Sequence, residues 1–584
     1  MNWFHPSIFY ICGALLIPFL KGRALKTYMV VLPALAIVTV FTMSEGTYGV
    51  VCFLGNELIF GRVDKLSLVF SYVFTIMSLI GVIYGLHVED KGQHVAAMLY
   101  VGSSIGVTFA GDFFVLFIFW EIMAFASSYL VFASREKSAI QAGFRYILVH
   151  IFGGVCLLGG ITLHYLATGS LLFGPIEKDG SLAFYLILTG FILNAAVPPL
   201  HAWLADAYPE ATVTGAVFMS AFTTKTAVYV LVRAFPGTEI LVWLGAVMAL
   251  YGVVYAVLEN DGRRLLAYHI VSQVGYMVAG VGMGTYMSLN GSVSHAFAHI
   301  FYKALLFMGA GAVLQMTGKR KLTELGGIYK TMPITLTLYM IGGFAISAFP
   351  LFSGFVTKSM VVAAANYDHR PIIALMLTMA SSGTFLHTGL KLPYYMFFGK
   401  DSGIRTKEPP LNMLIAMGMA AFLCIAIGVF PQPLYAVLPY PVDFHPYTGD
   451  HVTSALGLLM FTALGFFMLL KKLDPEPTIS ADTDWFYRMG SRAFMWIASK
   501  PIAAYEGYLG EIYKLWFVNY TIKFADFLLR IFDIKIIDQT VNSIALFWIN
   551  LGGVARLGQT GLVRNYALSM LLGGMVLIAY YLFV

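Results

Sequence analysis

Glu121 lies in the stretch FFVLFIFWEIMAFASSYLVF, with no other formal charge between Asp112 and Arg135. Lys225 is equally isolated in VFMSAFTTKTAVYVLV. His295, His299 and Lys303 recur at i, i+4 and i+8 in SHAFAHIFYKALLF, which puts all three on one face of a helix. Lys358 follows a proline-interrupted segment around Pro350, and His387 and Lys391 share a face in TFLHTGLKLPYYMF. An ionisable side chain in mid-membrane costs about 2.5–3.5 kcal/mol on insertion scales, so each of these is a functional candidate. The chemistry they suit is proton transfer. Burial favours the neutral amine, a nearby carboxylate restores the ammonium, and moving one charge therefore shifts the next group along. The competing reading is static salt bridges that tie helices together. It explains one pair more readily than a row. His150, His164 and His201 read individually as packing histidines. Asn194, His201 and Asp206 mark a second interrupted segment and are candidates for a further site there.

Those side chains need a membrane around them, and the composition supplies one. Of 584 residues, 59% are hydrophobic and 11% charged, whereas a soluble domain carries about 25% charged residues. A chain so poor in charge lacks the polar surface to face water, so lipid must solvate most of it. The net charge of +6 is scattered over loops and forms no nucleic-acid patch. Cys12, Cys52, Cys156 and Cys424 stand far apart without a CxxC pair, which argues against a metal or redox centre. Walker A, dinucleotide-binding and HExxH motifs are absent, so neither a nucleotide cofactor nor ATP-driven transport is expected.

A bilayer core takes about 20 apolar residues per helix, and that ruler gives about fourteen spans between Ser7 and Phe430. They include 7–20, 93–110, 112–134, 182–204, 208–235, 287–316, 331–365 and 371–398, with a further span near 452–470. The apolar start is followed rather than preceded by Lys21, Arg23 and Lys26, so it reads as a membrane helix and not a cleavable signal. From Asp474 to about Arg556 aromatic residues alternate with charges such as Asp482, Arg488, Lys514 and Asp526, the pattern of a long amphipathic helix. A last span, Ala567 to Val584, follows. Loops after odd-numbered spans hold roughly threefold more lysine and arginine than the opposite loops, which predicts an outside N-terminus and a cytoplasmic charged tail.

Asn194-Ala-Ala-Val-Pro198-Pro199-Leu-His201-Ala-Trp203-Leu-Ala-Asp206 can be laid over Ile346-Ser-Ala-Phe-Pro350-Leu-Phe-Ser-Gly354-Phe355-Val-Thr-Lys358. Both put proline in mid-membrane, which breaks a helix and is tolerated only where the freed backbone groups find partners or line a cavity. Paired interruptions of this kind point to inverted repeats with an ion site at the midplane.

In this order the motifs resemble the antiporter-like subunits shared by respiratory complex I, membrane-bound hydrogenases and multisubunit Mrp-type cation/proton antiporters. The residues that carry the resemblance are Trp120-Glu121, the segment Pro199 to Asp206, Thr224-Lys225 with Tyr229 and Arg233, Asp261 to His269, Ser272-Gln273-Val-Gly275-Tyr276, His295 with His299 and Lys303, and Pro350 to Lys358. The region from Thr384 to Asp401 and beyond looks most like the D-type Mrp subunit, and Gln559 to Ala567 is similar to the last helix of the largest complex I pump subunit.

The resemblance implies an all-α integral membrane fold of about fourteen core helices, with two inverted five-helix repeats, broken helices 7 and 12, a lateral amphipathic helix and a terminal membrane helix. The corresponding divisions are 1–92, 93–237, 238–400, 401–473 and 474–584. By family role Glu121 is the charge-pair carboxylate, Lys225, Lys303, His295 and His299 relay protons, and Lys358 ends the exit half-channel, with Lys391 beyond the second break. Family members usually carry lysine on the seventh helix where this sequence has Asn194, which leaves Glu121 without its usual partner. The implied role is that of a secondary transporter subunit, not an enzyme, in the cell (inner) membrane. It would need no cofactor and would work beside other hydrophobic subunits, exchanging protons for a monovalent cation, sodium first. A proton-pumping subunit of a redox complex is the alternative.

Overall fold

The computed structural model describes residues 4–53, 55–476 and 482–583. The chain divides into two compact units, 1–484 and 485–584. Twelve helices among the described residues are long and apolar enough to cross a membrane. Two more, Leu182–Asn194 and Pro333–Ile346, are apolar but shorter because the chain interrupts them. The span expected at 7–20 is a correction: it forms only the helix Ser7–Ala14 and a 3₁₀ turn Ile17–Phe19. Pro18, which has no backbone donor, sits in that turn. The expected span 208–235 forms as Val213–Ala234, divided at Phe222 into the helices Val213–Ala221 and Thr223–Ala234.

Helix starts follow from capping residues. Asp112 accepts hydrogen bonds from the backbone N–H groups of Phe114 and Val115, at 2.9 and 2.8 Å, and starts Phe113–Phe132. Its other oxygen accepts from Ile59 N at 2.6 Å, which hooks on an antiparallel hairpin, Gly46–Phe53 paired with Asn56–Val63. Asp261 caps Gly262–Met283 in the same way. That helix packs closely on Glu239–Leu258 because glycines face each other: a methyl on Gly275 would stand 2.6 Å from Ala249 N.

The two interruptions have one backbone design. Leu182–Asn194 ends with Ala196 at φ +58°, and Pro333–Ile346 ends with Ala348 at φ +58°. In the first, Val197 N bonds Ile192 O at 3.0 Å; in the second, Phe349 N bonds Phe344 O at 3.1 Å. This is the left-handed helix stop usually built with glycine, made here by alanine with a proline two residues on. Helix resumes at Ala202–Ala207 and at Ser353–Tyr367.

The second unit is described by itself. It runs as nearly continuous helix from Asp484–Ile497 through Ala503–Tyr513, Tyr520–Leu528 and Gln539–Leu557, joined by π-helical turns. Its aromatic side chains, Trp516, Phe547 and Trp548 among them, are exposed. The expected last span is Val563–Phe583, with Val584 outside the described residues.

Candidate functional site

Three of the lysines singled out by the sequence meet backbone carbonyls that helix interruptions or ends have freed. Lys225 follows the bend at Phe222, and its Nζ donates to Ser220 O at 2.6 Å and to Thr224 Oγ1 at 3.1 Å. Lys358 Nζ donates at 2.7 Å to Ile346 O, the last carbonyl of Pro333–Ile346. Lys391 Nζ donates at 2.6 Å to Val257 O in the last turn of Glu239–Leu258. Carbonyls at a helix C-terminus carry partial negative charge, so each can hold an amine, and Lys391 also lies within electrostatic range of the Glu259 carboxylate.

Between them stands a group with open valences. Lys303 Nζ and both ring nitrogens of His299 find no partner among the described residues, and both side chains are wholly buried. His295 Nδ1 lies 3.2 Å from Thr357 Oγ1, and its Nε2 is 3.4 Å from the Tyr302 hydroxyl. The His295 and His299 rings are 6.2 Å apart, and Lys225 lies within electrostatic range of His299 and Lys303. Lys358 Nζ sits over the Tyr276 ring at 5.3 Å, and that ring is 5.8 Å from His295. Lys225, Lys303, His299, His295 and Lys358 are therefore brought together as one row.

Sequence reasoning left out His269. It too is wholly buried with both nitrogens unpartnered among the described residues, its ring 6.3 Å from that of His387. It links His387 and Lys391 to Lys303 electrostatically. Its signal was its place one residue after Tyr268 in an apolar helix, at the end of a stretch that carries the family resemblance.

Lys358 borders a cavity of about 970 Å³ that Asn366, Asp443, His445 and His451 also line. Asp443 and His445 are exposed, so the cavity beside Lys358 opens to the surface among polar side chains. Glu121 is not part of the row. It packs on Gly154 and faces a separate groove of about 770 Å³ with Lys91 and Tyr129, and its Oε1 has no partner among the described residues.

The first interruption is furnished differently. Both side-chain atoms of the buried Asn194 lack partners among the described residues. Trp203 Nε1 donates to Leu193 O at 3.0 Å. Asp206, aligned with Lys358, is gripped by Arg145 through two bonds of 2.6 and 2.9 Å. His201 Nε2 lies 3.3 Å from Asp482 Oδ1. That carboxylate also accepts from the hydroxyls of Tyr251 and of Tyr268, the latter at 2.5 Å. Asp482 was expected on the charged tail; it is instead buried, ahead of the helix that begins at Asp484. Burial alone would raise its carboxyl, but His201 and the two tyrosines outweigh that and hold it well below the usual range. Nearby, Glu259 follows the end of Glu239–Leu258, 3.5 Å from Arg264. Burial pushes its carboxyl up to about 6 against the pull of Arg264, with Asp261 and Asp482 adding to the rise.

Fold and row together define a class: a polytopic helical membrane protein with a titratable axis through its core. The family described as "NADH:quinone oxidoreductase/Mrp antiporter, TM" matches residues 110–384, which contain every member of the row. The D subunit of the Na(+)/H(+) antiporter of Alkalihalophilus pseudofirmus is 30% identical over 353 residues, covering 56% of this chain and 71% of that protein. The A subunit from the same organism is 30% identical over 500 residues, 74% of this chain, and the match spans 61% of its length. Among solved structures, one described as the membrane-bound sulfane sulfur reductase, an archaeal respiratory membrane complex, superposes with a TM-score of 0.69 at 22% identity, covering 98% of this chain and 99% of that one. The chain belongs to the NADH:quinone oxidoreductase/Mrp antiporter transmembrane family.

Proposed function

We propose that this chain is the proton-translocating subunit of a multisubunit cation/proton antiporter, with sodium the first cation to test. The observation that carries the reading is the buried row from Lys225 through Lys303, His299 and His295 to Lys358, whose last member borders a cavity. Similarity to the A and D subunits of a sodium/proton antiporter supports the antiporter form. In this reading a proton moves between amines and imidazoles, and Lys358 exchanges it with the cavity. The lysines and arginines of the loops at 317–332 and 399–410 support a cytoplasmic place for those loops, which puts the 443–451 side of the cavity outside. Lys391, His387 and His269 form a branch towards Glu259 at the opposite side. Small hydrophobic partner subunits would supply the cation path.

A second reading, a proton-pumping subunit of a redox complex, is favoured by the fold shared with a respiratory complex over nearly the whole chain. Purifying the native complex decides between them. The antiporter reading expects cofactor-free partners and sodium-driven proton movement in vesicles. Bound flavin, nickel or iron–sulfur clusters, with no exchange in the absence of a reductant, would overturn it.

A further inference from the structure

The first interruption contains a buried ion pair that the row does not use. Asp482 and His201 are 281 positions apart in sequence, yet their side chains are 1% and 0% exposed and 3.3 Å apart. The carboxylate is fully dressed. Oδ1 faces His201 and accepts from Tyr251 and from Thr483 N, and Oδ2 accepts from Tyr268. The Thr483 hydroxyl reaches back to Pro199 O at 3.3 Å, which pins this segment to the interruption itself. His201 stacks edge-on against Tyr251, with ring centroids 4.6 Å apart; its Nε2 is within ion-pair reach of Asp482, and neither ring nitrogen makes a hydrogen bond among the described residues.

The second interruption shows what such a place offers. There the side chain twelve residues past the helix end, Lys358, is an amine held only by a freed carbonyl and a ring face. The aligned side chain at the first interruption, Asp206, is committed to Arg145. A buried carboxylate is tolerated when it is hydrogen-bonded and its charge is matched. Tyrosine hydroxyls supply bonds but no charge, and the ring nitrogen beside the carboxylate is where an added proton would be balanced.

We propose that His201 is a proton-holding site at the first interruption and that Asp482, arriving from the C-terminal side of the chain, is its positioning residue. His201 takes up a proton at a ring nitrogen and gives it back. Asp482 stays ionised throughout, fixing the ring and balancing the imidazolium. The other titratable or charged groups facing the pair are Tyr251 and Tyr255 of Glu239–Leu258, Glu259 beyond its end, and Arg264 and Tyr268 of Gly262–Met283. The proposal rests on the proton-translocating reading above.

The test compares the native complex with Asp482→Asn and His201→Gln in vesicles, reading assembly, cation-driven proton movement and its pH profile. Asparagine keeps the size, an acceptor oxygen for one tyrosine and an amide that can donate to the hydroxyl of the other, so a structural fastener would survive it. We expect Asp482→Asn to assemble and to lose about tenfold or more in rate. Its pH profile should be displaced by about one unit. His201→Gln, which keeps an uncharged hydrogen-bonding group, should show the same loss, and the double variant should be no worse than either. Native rate and profile in Asp482→Asn, in a complex that exchanges, would overturn the pair alone. If Asp482→Asn does not assemble, His201→Gln decides in the same way. Failure of both to assemble marks a structural fastener and overturns the proposal. A native complex that moves no protons would overturn the underlying reading instead, and the pair's role with it.

Discussion

At Asn194 and at Ile346 the chain makes the same stop, with alanine at φ +58° two residues on and matching backbone bonds around it. The side chains downstream of the two stops differ. Twelve residues later the first segment carries Asp206, locked into two bonds with Arg145, while the second carries Lys358, held by one carbonyl beside a cavity. A charge in a doubly bonded pair is stable and therefore poor at changing its proton. An amine on a carbonyl has no opposite charge to hold it cationic and can change readily. One backbone device thus carries a carboxylate paired with arginine in one place and an amine on a carbonyl in the other, and the proposed proton exchange belongs to the second.

The largest effect is expected at Lys303, which lies within electrostatic range of both Lys225 and Lys358 and has no competing partner among the described residues. Lys303→Ala should lower proton movement in vesicles by about a hundredfold with assembly intact, the scale of losing a positioned proton-transfer group. A rate near native would remove it from the row. Arg145→Ala should act the opposite way. Leaving Asp206 without its principal partner should destabilise the protein by about 2–4 kcal/mol, seen as earlier thermal unfolding in detergent. The protein that remains folded should keep the native pH profile. A displaced profile would make Asp206 an exchangeable group and erase the difference between the two segments.

A smaller effect is expected at Glu259, whose carboxyl is raised from 4.5 to about 6. A raised acid binds more protons in the folded state, so its contribution to stability is present below the lower value and falls as pH rises through the higher one. Glu259→Gln should therefore be the more stable protein above pH 6 by about 1–2 kcal/mol, and no more stable near pH 4. Equal unfolding temperatures at both pH values would contradict the raised carboxyl.

The row itself was legible in the sequence because a lone lysine or histidine in an apolar run has few innocent explanations. The interruptions were legible because Pro198, Pro199 and Pro350 cannot continue a helix in the middle of a span. Other features carried no local signal. Asp482 stands among other polar and charged residues, and only the packing of segments far apart in sequence reveals its burial against His201. The hairpin at 46–63 fell between spans counted by length, and its position depends on Asp112 reaching Ile59. His269 hid among wholly buried neighbours on Gly262–Met283, where no stripe of exposed residues marks one face as special.

The proton exchange proposed for Lys358 runs between its amine at the second interruption and the cavity. Its most direct measurement is sodium-driven proton movement in everted vesicles carrying the complex with Lys358→Ala, with assembly checked by co-purification. The account predicts movement at background level in a fully assembled complex. Native-rate exchange from the same assembled variant would contradict it.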